Sequence, residues 1–174
     1  MNKNLSIALV LFGLAGLTAC KKESDNSTKS TVQLRMTDGP GDWQQVNLDI
    51  REVKIKFVED SSDTDGWESL QTNGGIYDVL RLQNGLDTLL ATGSFPIDRA
   101  VREIRLILGP NNSIKVLGVV YPLTIPSGAE SGLKIKLNKK LLPLVTPVLI
   151  DFDAALSIKE ENGGYKLKPV IKLK

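Results

Sequence analysis

From Thr31 onward, apolar and polar residues trade places along the chain with a period of two, the mark of half-buried β-strands. TVQLRMT turns Val32, Leu34 and Met36 to one side. VNLDIREVKIKF does the same with Val46, Leu48 and Ile50, then changes phase to Val53, Ile55 and Phe57. A phase change inside one run predicts a β-bulge, because a single extra residue restores the apolar face after a slip. REIRLILG sets Ile104, Leu106 and Leu108 against Glu103, Arg105 and Ile107. SIKVLGVV and YPLTIP follow closely, and GLKIKLN alternates Leu133, Ile135 and Leu137 with lysines. PVLIDFD opposes Val148, Ile150 and Phe152 to Leu149, Asp151 and Asp153. The terminal GYKLKPVIKLK reads as one strand with Tyr165, Leu167, Pro169, Ile171 and Leu173 on one face, Pro169 marking an edge or a bulge.

Turn chemistry separates these runs: DGPGD at 38–42, SSDTDG at 61–66, TNGG at 72–75, Asn84-Gly85, GPNN at 109–112, PSGAESG at 126–132 and ENGG at 161–164. Asn-Gly and Gly-Gly pairs between alternating runs are hairpin signals. LDTLLATG, residues 86–93, is the one segment expected to form a turn or two of helix. Many short strands with regular turns and at most one short helix predict an all-β fold, a single antiparallel β-sandwich of prealbumin-like or immunoglobulin-like layout.

The first thirty residues follow a different pattern. After Met1-Asn2-Lys3-Asn4 comes LSIALVLFGLAGL, an uncharged run from Leu5 to Leu17. A spanning helix needs roughly 20 apolar residues, so this run is too short; it suits the apolar region of a secretory signal. Leu17-Thr18-Ala19 then precede Cys20, the single cysteine of the chain. The arrangement resembles a lipobox, the signal of bacterial lipoproteins. That resemblance implies cleavage before Cys20 and fatty acylation, palmitate among the acyl groups, of a diacylglycerol-modified Cys20. Two or more acyl chains hold a protein on a bilayer without spanning it. An acylated Cys20 has no thiol left for catalysis, disulfide pairing or metal ligation. KKESDNSTKST, residues 21 to 31, is too polar to offset its ordering entropy and reads as a flexible tether. The expected organisation is therefore a signal peptide at 1–19, a tether with lipidated Cys20 at 20–30, and the sandwich at 31–174. Lys21 stands where the inner-membrane retention signal of lipoproteins carries Asp, so the resemblance implies the outer membrane of a cell envelope. The charged tether resembles those of surface-exported lipoproteins.

Composition narrows the chemistry. With 22 Lys+Arg against 20 Asp+Glu the net charge is +2, so no global field draws in nucleic acid. Histidine is absent, which removes the commonest general base and every Ser-His triad. Carboxylates, Lys and Tyr are the remaining catalytic groups, and the expectation is a protein that is not an enzyme.

MTDGPGDWQQVNLDI (36–50), EIRLILGPNNSIKV (103–116), YPLTIPSGAESGLKIKL (121–137), LIDFDAALSI (149–158) and GYKLKPVIKLK (164–174) together resemble the bacterial lipoprotein family of domain of unknown function 4382. The resemblance spans nearly all of residues 31 to 174. It implies a lipid-anchored, β-rich envelope protein, and it supplies no catalytic residues.

Asp38, Asp42, Asp151, Asp153 and Trp43 are the candidate ligand-binding residues. The Asp38–Asp42 turn offers oxygens of the kind Ca²⁺ takes in sets of about six to eight. It lacks the acid density of an EF-hand, and turn capping by Asp38 accounts for it, so neither metal nor cofactor is expected. Asp151 and Asp153, two apart on a strand, have Cα atoms ~6.6 Å apart. Glycosidase carboxylates are about 5–9.5 Å apart, but any i,i+2 strand pair meets that spacing, and pairing of Asp151 with a cross-strand cation is the simpler expectation. The lysine rows 134/136 and 166/168/172/174 suit a solvated sheet face or an anionic surface. Trp43, Trp67, Tyr77 and Tyr121 lie beside turns, where rings plug a core end or stack on sugars; Trp43 is the best sugar-contact candidate. The expected function is a non-enzymatic envelope module binding a glycan, a surface polymer or a partner protein. A carboxylate-dependent hydrolase and a structural assembly subunit are the alternatives.

Overall fold

A computed structural model describes residues 28–57, 65–126 and 132–174. The signal-like run, Cys20 and most of the tether lie outside the described residues, as do parts of the expected turns at 61–66 and 126–132. The first strand already begins at Lys29, inside the segment expected to be tether.

Among the described residues the strands form two packed sheets. One has the order β14 (Ile171–Leu173), β11 (Leu144–Phe152), β1 (Lys29–Asp38), β6 (Thr88–Pro96), β4 (Gln71–Thr72). The other runs β10 (Leu133–Lys140), β7 (Ala100–Leu108), β2 (Gln45–Lys56), β8 (Ser113–Val116), β9 (Val119–Thr124), β13 (Gly164–Leu167), β12 (Ile158–Glu161). Two short strands, β3 (Trp67–Ser69) and β5 (Gly75–Asp78), also pair with β2. The all-β sandwich is thus the observed fold. Its pairing is mixed: β1 lies parallel to β11, and β9 parallel to β13.

The alternation that defines the strands also fills the core. Val32, Leu34 and Met36 of β1 are fully buried, together with Val46, Ile50, Val53 and Ile55 of β2 and Ile150 and Phe152 of β11. Each such side chain contributes about 1.5–3 kcal/mol by leaving water. In β2 the phase change is a bulge: Ile50 pairs with Leu108 and Glu52 with Ile107, leaving Arg51 as the extra residue.

Two expectations need correction. Residues 86–93 contain no helix; Thr88–Pro96 form β6, hydrogen-bonded along β1. Leu34 pairs with Ala91 and Arg35 with Leu89, so Leu90 is a bulge residue and two successive side chains, Leu90 and Ala91, point inward. That clustering of apolar residues imitated a helical face. Among the described residues the α-helix is instead the single turn α1 (Ala154–Ser157), whose start Asp153 caps by accepting the Leu156 amide at 3.0 Å. Nor is GYKLKPVIKLK one strand. It forms β13 in one sheet and β14 in the other, and the chain crosses between them over residues 168–170, where Pro169 lacks a donor for either ladder.

Candidate functional site

The sequence candidates meet at one end of the sandwich, where β1 and β11 finish side by side. The parallel register sets Asp38 opposite Phe152, between Asp151 and Asp153. Asp38 is 3% exposed. Its Oδ1 accepts the Ala154 amide at 3.0 Å and its Oδ2 accepts from Gln83 Nε2 at 3.1 Å. Burial pushes the Asp38 carboxyl up to about 6; those two hydrogen bonds pull it down, and the nearby Asp151 and Asp153 push it up further. Asp151 is paired, as expected, with a cross-strand cation: Lys174 Nζ lies 3.1 Å from its Oδ2. Its buried Oδ1 has no hydrogen-bond partner among the described residues. Gly39 passes close by; a Cβ there would sit 4.0 Å from both Asp151 Oδ1 and Asp153 Cγ. Asp153 is engaged as the cap of α1, and Asp42 is exposed at the rim. Among the described residues no group of three or more His, Cys, Asp or Glu side chains is arranged to hold a metal ion. The carboxylates organise the loop instead.

That loop presents Trp43. The indole is half-buried against the core and meets Tyr165 edge-on, with ring centroids 6.2 Å apart and planes at 81°. Tyr121 packs on the other side of Tyr165 at 5.2 Å. The backbone at Gly41 runs beside α1: a Cβ there would stand in ordinary contact, 3.7 Å from the Ala155 side chain. Next to Trp43, Gln44 Oε1 accepts the amide of Gly118 at 2.7 Å, fastening the loop to the β8–β9 hairpin tip. Beside the rings a cleft of about 220 Å³ is lined by Tyr121, Pro122, Thr124, Glu161, Tyr165 and Lys166, among others. Lys166 and Lys168 donate to the two oxygens of Glu161 at 2.7 and 2.5 Å, and those bonds hold its carboxyl down at about 2. The cleft is therefore lined by aromatic faces with a fixed ionic edge.

Trp43 and Tyr121 were legible as ring candidates beside turns; Tyr165, which joins them, was read as a strand residue. The other two ring candidates lie elsewhere. Trp67 stacks under Arg105, whose guanidinium carbon is 4.1 Å from the ring centroid, and Tyr77 sits on β5 opposite Leu48. Of the lysine rows, Lys166, Lys168 and Lys174 are engaged in ion pairs. Lys134 and Lys136 are solvent-exposed along β10.

A second polar network escaped the sequence reading. Arg51, the bulge residue, forks onto buried Asp49, with Nη2 donating to Oδ2 at 2.8 Å and Nε 2.8 Å from Oδ1. Asp49 Oδ2 also accepts the Asn111 amide at 3.1 Å, and Asn112 Oδ1 accepts the Asp49 amide at 2.9 Å. The GPNN segment is thus pinned to β2. A Cβ on Gly109 would fall 2.3 Å from Asp49 Oδ2, so a glycine is required there by close approach.

A mixed two-sheet sandwich with an aromatic cleft at one end is the class these features define. The model of the domain of unknown function DUF4382 matches residues 29–169, and the chain belongs to that family. No curated protein and no solved structure matches the chain.

Proposed function

We propose that the chain is a lipid-anchored envelope protein, held in the outer membrane through acylated Cys20, whose Trp43 end is a non-enzymatic recognition site for glycan. The observation that carries this reading is Trp43 itself. It is neither sunk in the core nor loose on the surface; it packs half-buried against the core and edge-on against Tyr165, beside a cleft edged by Tyr121, Glu161 and Lys166. A ring held rigid before the ligand arrives loses little entropy on stacking against a sugar face. β1 supports the layout, for Lys29 opens it at the tether side and Asp38 closes it at the Trp43 side. Ten residues of strand separate the two by about 30 Å. Recognition rather than hydrolysis is favoured because Asp38, Asp151 and Asp153 are committed to an amide, a lysine and a helix cap.

The acylated full chain, applied in detergent to an array of neutral and acidic glycans, tests this. Retention on a defined glycan, lost in Trp43→Ala and kept in Trp43→Phe, is the expected result. An empty array together with a specific envelope protein in pull-downs would move the site to protein recognition. An intact mass showing an unmodified Cys20 behind residues 1–19 would remove the anchor.

A further inference from the structure

At the end of the sandwich opposite Trp43, the β10–β11 hairpin turns through Lys139-Lys140-Leu141-Leu142-Pro143-Leu144-Val145. Leu141 is buried, but Leu142, Leu144 and Val145 are 49%, 61% and 42% exposed, and Pro143 between them is exposed as well. Hairpin tips usually carry Gly, Asn or Asp, which suit both water and unusual dihedrals. Here Leu144 occupies the left-handed region, with φ at +68°, which disfavours a branched apolar side chain. The tip is firmly mounted all the same. The Leu142 amide donates to Thr146 Oγ1 at 2.7 Å, and that hydroxyl shares a buried 2.7 Å hydrogen bond with Ser30.

Positive charge surrounds the apolar tip. Lys29 and Lys140 are exposed and Lys139 is half-buried. Beside them a cleft of about 650 Å³ sets Arg99, Arg102 and Lys140 against one carboxylate, Asp98. Arg99 lies 3.7 Å over the Phe57 ring and is ion-paired with Glu68. The parallel register places Ser30 opposite Leu144, so the tip adjoins the point where the chain enters β1. Residues 21–28 lie between Cys20 and the start of β1 at Lys29, and eight residues reach at most roughly 29 Å.

We propose that this hairpin tip docks on the bilayer. Leu142, Leu144 and Val145 enter the interfacial layer of a membrane containing anionic phospholipid, while Lys29, Lys139 and Lys140 meet headgroup phosphates. The inference rests on reading Cys20 as the anchor. The combination of acyl chains with an apolar and basic surface is the paired signal that makes membrane attachment persistent. Its consequence is orientation: the domain stands on the membrane with Trp43 directed away from it.

The test uses the acylated full chain carrying Leu144→Cys, labelled with a nitrobenzoxadiazole probe, on phosphatidylcholine vesicles with and without phosphatidylglycerol. Expected are a several-fold rise in emission on the phosphatidylglycerol vesicles and quenching by spin-labelled lipid. The same probe at Leu117→Cys, on the opposite hairpin tip, should stay water-like. Lys139→Glu with Lys140→Glu should remove most of the rise while the protein still floats with the vesicles. A water-like probe at position 144 on protein that floats overturns the docking and leaves the anchor standing. So does shielding of that probe only when envelope proteins are added, since the tip would then be a protein interface. Protein that fails to float overturns both readings.

Discussion

The Asp38 carboxylate accepts the Ala154 amide hydrogen at 3.0 Å, joining the end of β1 to the first residue of α1 across 116 positions of sequence. This bond fastens the Gly39–Asp42 loop beneath Trp43 to the turn that follows β11. It also explains why a buried acid is kept: a carboxyl here satisfies an amide and Gln83 together. The cost appears once the buried group ionises, through lost solvation first and then through the nearby Asp151 and Asp153.

Stability should therefore fall as pH rises from about 4 to about 6 and level off above that. The folded-state value of about 6 stands above the ordinary 3.8, so the native state binds the proton more tightly than the unfolded chain. The contribution is complete below the unfolded value and is lost as pH climbs through about 6, amounting to ~3 kcal/mol for roughly two pH units. Asp38→Asn keeps an acceptor for Ala154 and carries no charge. Its urea midpoint should exceed that of the native chain at about pH 7.5 and approach it near pH 4.5. Identical pH profiles for the two chains would refute this assignment.

Gly109→Ala should destabilise the fold by about 1–3 kcal/mol, the usual cost of overpacking. The added methyl meets Asp49 Oδ2 and Arg51 Nε together, and the Asp49 carboxylate is buried, with little room to shift. Gly163→Ala, at a turn whose Cβ would meet nothing within 4 Å, gives the comparison. Its cost comes from its φ of +73° alone and should be about 1 kcal/mol. Equal denaturation midpoints for the two variants would count against a tightly packed GPNN network.

Deleting Arg51 tests the bulge. Without it, Val53 and Ile55 turn to the opposite face of β2 while Val46, Leu48 and Ile50 stay inward. The deleted chain should lose its cooperative unfolding transition. A cooperative transition near the native midpoint would mean that the register is set elsewhere.

This bulge was readable in VNLDIREVKIKF because its two halves each alternate cleanly, in opposite phase. The bulge in β6 was not. Leu89-Leu90-Ala91 shows a run of apolar residues with no alternation on either side, and only the register against Leu34 and Arg35 reveals two inward positions. Likewise GYKLKPVIKLK alternates without a break, although β13 and β14 belong to different sheets; period two reports a face and says nothing about which sheet supplies it. The site was legible residue by residue and not as an assembly. Trp43 and Asp38 announce themselves beside DGPGD, but Tyr165 reaches Trp43, and Lys174 reaches Asp151, only through strand pairing between segments apart in sequence. In the β10–β11 hairpin the apolar letters of LLPLV were plain, and their exposure depended on the turn that Thr146 and Ser30 impose.

The aromatic end is tested most directly by the fluorescence of Trp43. The sequence holds two tryptophans, so Trp67→Phe leaves Trp43 as the sole indole. Titrated with a glycan retained on the array, this chain should show quenched or blue-shifted emission and become shielded from acrylamide at the concentration where binding saturates. Saturable glycan binding with the Trp43 emission and its acrylamide access unchanged would contradict the account and place recognition elsewhere on the molecule.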